Sequence, residues 1–357
     1  MTILMQSCNA NHNNHLERIR FLHQKIGILV SSNYDVADEC NLSCEGCLYF
    51  AGLDYKKREP VNAAAWDSFF SKEAERGVNF GYFAGAEPSL VPYVLLGAAK
   101  HIRHGVIHTN GIKRISEDIR YRIHISLWGD QTDNKTYRGA DNSIKALRNY
   151  QGDSRAIAVY TINRQNISNI VPVSEMCAAH GIPITFSYYS PTDDYLARLN
   201  GTQLANSKYF RVHSEDDVIA LGEKDFVRAR DEISNAKSKL PDDVWYSLEY
   251  DHWITSPASL YQLDENGIAT DCGNRVAKKF HHYNVDLSRN TGKCCSPNID
   301  CKSCRAYTNG YATLLSRFNQ LRKNEKSLGM WLNTWELWMR LFLLPEKITS
   351  SEILTMK

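Results

Sequence analysis

Residues 40–47 read Cys40-Asn41-Leu42-Ser43-Cys44-Glu45-Gly46-Cys47, three cysteines at C-x3-C-x2-C spacing just beyond an apolar segment that includes Tyr34 and Val36. A four-iron cluster ordinarily takes four thiolate ligands. Three closely spaced cysteines hold three irons and leave the fourth open to another ligand. An open coordination position is where chemistry happens, as at catalytic metal sites generally. The competing readings are a zinc site or three buried thiols.

The whole chain sets the bounds. Its 357 residues suffice for one large domain or two smaller ones with a substantial core. Forty-two Lys and Arg against 40 Asp and Glu leave a net charge of +2, which gives no ground for a nucleic-acid or anionic-membrane partner. The nearest approach to a membrane span, Leu90–Ala99, is interrupted by Pro92. Asn9 to His15 are polar where a signal peptide needs an apolar core. A reducing, cytoplasmic setting is therefore expected, in which clustered cysteines indicate metal rather than disulfides. Three of the 10 cysteines fall near residue 44 and five between Cys272 and Cys304, while Cys8 and Cys177 stand alone.

Leu16, Ile19, Leu22 and Ile26 recur at helical spacing and predict an N-terminal helix packed against the barrel described next. From Ile28 to about Pro191 short apolar strands alternate with helical segments, the pattern of a parallel sheet. Strands are expected near Ile28–Val30, Phe80–Phe83, Gly105–Thr109, Tyr121–Leu127, Ala156–Thr161 and Pro183–Ser187. Helices are expected near Ala63–Arg76, Val94–His101, Ser143–Tyr150 and Ile170–His180. Such a barrel would place its chemistry on loops at the carboxyl ends of the strands.

Those loops carry recognisable sequences. Ala84-Gly85-Ala86-Glu87-Pro88 follows the second strand, and His108-Thr109-Asn110-Gly111 follows the third. Ser126-Leu127-Trp128-Gly129-Asp130 ends the fourth, Tyr137-Arg138-Gly139 comes further on, and Asn163-Arg164-Gln165-Asn166 leaves the fifth. In this order, behind C-x3-C-x2-C, they resemble the radical S-adenosylmethionine (radical SAM) superfamily. The resemblance implies an α/β fold, a partial (β/α)6 TIM-like barrel over residues 34–200, after an N-terminal helix and first strand in 1–33. It implies a [4Fe–4S] cluster on Cys40, Cys44 and Cys47 whose open iron is chelated by SAM, cleaved to a 5′-deoxyadenosyl radical. It places the SAM contacts at Tyr49, Gly85, Ala86, Glu87, Asn110, Ser126 and Asn163. In this family an aromatic residue usually precedes the third cysteine; Gly46 stands there instead, and Leu48, Tyr49 and Phe50 are the nearest replacements.

The second cysteine group follows a helical linker (201–255) in which Ser214–Lys239 reads as one or two surface helices. Tyr261 to Cys272 reads as a hairpin turning at Asn266-Gly267. A second hairpin is expected over Phe280–Leu287 with its turn at Ser288–Gly292, then Cys294, Cys295 and the C-x2-C pair Cys301 and Cys304. Four of these thiols suffice for a second cluster or a structural zinc ribbon. The arrangement over residues 256–310 resembles the SPASM or shortened twitch extension behind radical SAM barrels. That resemblance implies one auxiliary [4Fe–4S] cluster on Cys272, Cys294, Cys301 and Cys304. Residues 311–357 read as apolar C-terminal helices with Trp331, Trp335 and Trp338 packed inward. Cys177 reads as a core thiol.

The resulting expectation is a radical SAM enzyme that oxidises a small natural-product-type substrate, with a flavodoxin- or ferredoxin-type electron donor. Modification of a ribosomally made peptide is the second possibility. A non-enzymatic zinc-binding interaction protein is the alternative of another class. Tyr188, Tyr189 and Asp130 are expected at the substrate mouth, and Arg138 opposite an anionic group.

Overall fold

The computed structural model describes residues 14–24, 29–50, 56–199, 208–210, 218–290 and 299–344. Six strands, β1 (Ser31–Ala37), β2 (Phe80–Gly85), β3 (His104–Thr109), β4 (Arg122–Leu127), β5 (Ala156–Ile162) and β6 (Ile184–Tyr188), pair in parallel in chain order. The sheet does not close, so this is the partial barrel expected from the sequence. Side chains alternate across it with period two. Tyr34, Phe83, Ile107, Ile123, Ile125, Leu127 and Tyr160 are fully buried. The alternate positions Asn33, Asp35, His108, His124, Ser126 and Thr161 line the concave side.

A helix over residues 14–24 (α1) precedes the sheet. Its Arg18 pairs with Glu336 at 2.8 Å, so it leans on the C-terminal helix as well as burying Leu22. Helices α2 (Ala63–Glu75), α3 (Pro92–His101), α4 (Gln131–Arg138), α5 (Ser143–Tyr150) and α6 (Ile170–Ala179) connect the strands. Asn62 caps α2 by accepting the Ala65 N–H at 2.9 Å, and Trp66 and Phe70 enter the core. Pro92 opens α3, where its missing N–H costs nothing.

The first strand differs from expectation. It spans Ser31–Ala37 rather than Ile28–Val30, so a boundary between residues 33 and 34 falls inside it. The reason is alternation: Tyr34 and Val36 pack outward while Asn33 and Asp35 face the cleft, a mixed pattern that the more apolar run before it outweighs in the sequence.

After β6 come α7 (Asp193–Leu199), α8 (Glu223–Lys239) and α9 (Leu248–Ile254). Helix α8 buries Ala229, Ile233 and Ala236, so it is not merely a surface linker, and the chain returns beside β6 through a bridge from Val244 to Ile184. The Asn266-Gly267 turn is present, with Gly267 at φ 72 and one antiparallel bridge, Leu263 to Ala269. Cys272 precedes the short helix α10 (Gly273–Val276).

The second hairpin is displaced from its expected place. Its strands are β7 (His281–Tyr283) and β8 (Arg289–Asn290), and its turn is Asn284–Ser288, closed by an N–H to C=O bond of 2.9 Å. Strand β7 pairs in parallel with β1, so this part of the extension continues the barrel sheet. Tyr283 stacks on Tyr34 at 5.9 Å and donates to Glu73 of α2, which fixes the strand there.

Helices α11 (Tyr307–Ser316), α12 (Phe318–Leu321) and α13 (Glu325–Phe342) complete the described chain. Trp338, Leu341 and Phe342 are buried in the main core, in keeping with the inward packing expected. A helix C-terminus leaves carbonyls without partners. Here Arg122 donates to the Arg340 and Leu343 carbonyls and His124 Nε2 to that of Leu341, so β4 caps α13 from the concave side. No described helix is long and apolar enough to cross a membrane.

Candidate active site

A cleft of about 850 Å³ runs along the concave side of the sheet, lined by Cys40, Cys44 and Cys47 and by the loops that leave β2, β3 and β4. The three thiols come together because the loop after β1 is tied down at several points. Ser43 and Glu45 donate their N–H groups to the carbonyls of Arg138 and Tyr137, at 3.1 and 2.7 Å, using the otherwise orphaned C-terminal end of α4. Gly139, at φ 79, ends that helix. Arg138 itself is buried, donating to the Ser126 carbonyl and standing 3.5 Å from Cys44 Sγ. It braces the cysteine loop and also lines the cleft, where the sequence reading has it meet an anionic group.

Gly46 explains the departure noted in the sequence. Its φ of +55 suits glycine, and a Cβ there would lie 2.0 Å from the Tyr189 hydroxyl. Tyr189 donates to the Gly46 carbonyl at 3.1 Å. Together with Trp128, Tyr195, Phe210 and Ile219 it forms a small apolar cluster against Cys44 and Cys47. Aromatic cover over the cysteine loop is thus supplied from β4 and β6 rather than from within the motif. Tyr49, which lines the cleft, donates to Asp38 at 2.6 Å.

The loop after β2 is held by Glu87. Its carboxylate, 1% exposed, accepts from Ser89 N–H at 3.0 Å, Thr109 hydroxyl at 2.6 Å and Asn110 N–H at 2.8 Å. It joins the exits of β2 and β3. Gly85 is at φ 96, where a Cβ would approach the Ala37 carbonyl to 2.7 Å. Asn110 Nδ2 donates to Asn41 at 2.6 Å, linking the same loops to the cysteine motif. Gly85, Ala86, Glu87, Asn110 and Ser126 all line the cleft. Asn163 is not among the cleft-lining residues; it is fully buried, and its Oδ1 accepts the Gln165 N–H.

Two residues expected at the mouth are otherwise engaged. Asp130 caps α4, accepting from Thr132 and Asp133 N–H groups. Tyr188 touches the cleft but commits its hydroxyl to buried Asp251, 2.8 Å away. The sequence reading missed the pair Asp35 and His282, 2.8 Å apart in the cleft wall and 247 positions apart in the chain.

Burial raises the Cys40 thiol, and pushes Cys47 up to about 12 with Cys44 as the next cause. Among the described residues, no three His, Cys, Asp or Glu side chains converge on a point that one ion would occupy. The thiols of an iron–sulfur cluster ligate different irons and need not converge. Three thiols on one cleft, a guanidinium beside them and an apolar aromatic flank fit such a group. At the second cysteine group, Cys272, Cys301 and Cys304 are all buried, and burial first, then Cys304 and Cys272, raise the Tyr261 hydroxyl. Cys294 and the competing Cys295 lie outside the described residues.

No family model and no curated protein sequence matches the chain. Solved structures do. SuiB of Streptococcus suis bound to S-adenosylmethionine aligns with TM-score 0.50 and 14% identity, covering 76% of this chain and 63% of SuiB. The chain thus spans less than two thirds of that protein. A histidine-tagged form of anSMEcpe with bound AdoMet aligns with TM-score 0.52 and 14% identity over 88% of each chain. Native anSMEcpe with bound AdoMet gives 0.51 and 14% over 87% of each. With its open parallel barrel and a cysteine loop at the carboxyl ends of the strands, the chain has the fold of the radical SAM enzymes.

Proposed function

We propose that this protein is a radical SAM enzyme that oxidises a small natural-product-type substrate, with a second iron–sulfur cluster in its C-terminal extension. The observation that carries the reading is the placement of Cys40, Cys44 and Cys47 on one cleft with the exits of β2, β3 and β4. Cys40, Cys44 and Cys47 would hold the SAM-binding cluster. Cys272, Cys294, Cys301 and Cys304 would hold the auxiliary one. When bound, the first cluster supplies SAM with the electron that yields a 5′-deoxyadenosyl radical able to take a hydrogen atom from substrate.

The chain's own work is positioning and exclusion of water, because such a radical attacks the nearest C–H bond. Gly85 and Ala86 let the β2 exit approach a ligand closely, and Glu87 fixes that exit to Thr109 and Asn110. Arg138 places a positive charge beside the thiols. Trp128, Tyr189 and Tyr195 keep bulk water from the cysteine loop.

The test is production of 5′-deoxyadenosine from SAM by the reconstituted, chemically reduced protein. Replacing Cys40, Cys44 and Cys47 together by alanine is expected to abolish it. Production that survives the replacement, or none from the intact protein, overturns the reading.

A further inference from the structure

We propose that Arg305 is the counter-charge of the second cysteine site and raises the reduction potential of the iron–sulfur cluster held there. This deepens the auxiliary-cluster reading given above and rests on it.

Arg305 follows Cys304 directly and is 8% exposed. Its guanidinium stays charged at any ordinary pH. A buried arginine is ordinarily paired, because an uncompensated charge out of water is costly. Arg305 makes no ion pair with the described residues. Its Nη1 donates to the Cys304 carbonyl at 3.0 Å and its Nη2 to that of Ser256 at 3.4 Å, while the guanidinium lies 5.9 Å from the Phe226 ring centre. Asp300, the nearest acid in the chain, spends its two carboxylate oxygens on the Lys302 and Ser303 N–H groups. The thiols of Cys272, Cys301 and Cys304 are buried in the same core. Neutral thiols would leave the charge uncompensated. Four thiolates on an iron–sulfur core form a net negative group, which supplies the missing partner.

The site also stands at the margin of the cleft. The Arg305 N–H donates to Ser190 Oγ at 2.8 Å, and Ile299 bridges Thr192, so the loop is tied to the exit of β6. Ser190 and Ala306 line the cleft. Reduction adds a further negative charge to a cluster. A fixed cation in a low-dielectric place therefore stabilises the reduced form more than the oxidised one. In the oxidation proposed above, one electron passes from the substrate radical to this site while the radical gives one proton to solvent. The electron then goes on to the flavodoxin- or ferredoxin-type carrier. A raised potential favours transfer in that direction.

The experiment is an anaerobic redox titration, followed by EPR, of the reconstituted full chain with Cys40, Cys44 and Cys47 replaced by alanine, which reads the second site alone. Arg305→Gln is expected to lower the equilibrium constant for one-electron reduction about tenfold, a midpoint about 59 mV more negative. Arg305→Lys, which keeps the charge, is expected to recover most of that difference. In case Arg305→Gln loads no iron, Phe226→Glu keeps the guanidinium and sets a carboxylate against it, and its midpoint is expected to fall in the same direction. An unmoved or higher midpoint in Arg305→Gln, or in Phe226→Glu where the first cannot be read, overturns the role of Arg305 and leaves the cluster standing. An equal fall in Arg305→Lys does the same. Zinc or no metal at the second site of the parent protein overturns the auxiliary-cluster reading, and the proposal with it.

Discussion

Replacing Gly46 by alanine strikes the cysteine loop at one atom. The residue sits at φ +55, which costs an L-amino acid about 1–2 kcal/mol. The new methyl would lie 2.0 Å from the Tyr189 hydroxyl, which is buried and bonded to the Gly46 carbonyl, and such overpacking costs about 1–3 kcal/mol. The sum is roughly 3 kcal/mol. Tyr189→Phe alone loses one hydrogen bond, about 1 kcal/mol. In the double variant the colliding oxygen is gone, and the nearest remaining contacts are 3.1 Å to Tyr195 and 3.2 Å to the Tyr189 ring. The double variant should therefore be about 1–2 kcal/mol more stable than additivity predicts. At about 2 °C per kcal/mol for a chain of this size, Gly46→Ala should melt roughly 6 °C below the parent. Calorimetry on the four metal-free proteins of the cycle measures this. A Gly46→Ala melting point within about 1 °C of the parent, or strictly additive effects, would refute the packing described.

Glu87→Gln keeps the shape but presents an NH2 group to one of three donors. A loss of about 1.5–3 kcal/mol is expected, with weaker SAM binding, since the β2 and β3 exits would part; unchanged SAM affinity in dialysis would contradict the bracing role. His108 is held uncharged in the fold, at about 4 against an ordinary 6.5. A base whose folded value is lowered contributes nothing adverse above 6.5 and costs stability as pH falls from about 6.5 towards 4. The full span is worth roughly 3 kcal/mol, less what water in the cleft screens. His108→Gln should flatten that acid limb in a melting-versus-pH series, and an unchanged limb would count against it.

Much of the fold was legible because strands buried on both sides announce themselves. Phe80–Phe83 and Ala156–Thr161 are compact apolar runs between turn residues, and Tyr121–Leu127 alternates apolar with polar residues at strand period. The turns that leave β2 and β3 were legible through glycine and asparagine chemistry. Helix α4 was not, since only Asn134 and Arg138 are buried in it and its eight residues carry no apolar stripe. Strand β7, His281–Tyr283, is too short and polar to declare a partner about 250 residues away; stacking of Tyr283 on Tyr34 seats it. Gly46 with Tyr189 and Asp35 with His282 are tertiary pairs that no local pattern encodes. Asn163 lies in the loop that leaves β5, and its Oδ1 accepts the Gln165 N–H, a local contact that residue type alone does not reveal.

Iron and sulfide content after anaerobic reconstitution tests the central claim most directly, measured on the intact protein and on the Cys40, Cys44 and Cys47 triple alanine variant. The account predicts about eight irons per chain falling to about four. No iron in either protein, or the same iron content in both, would contradict it.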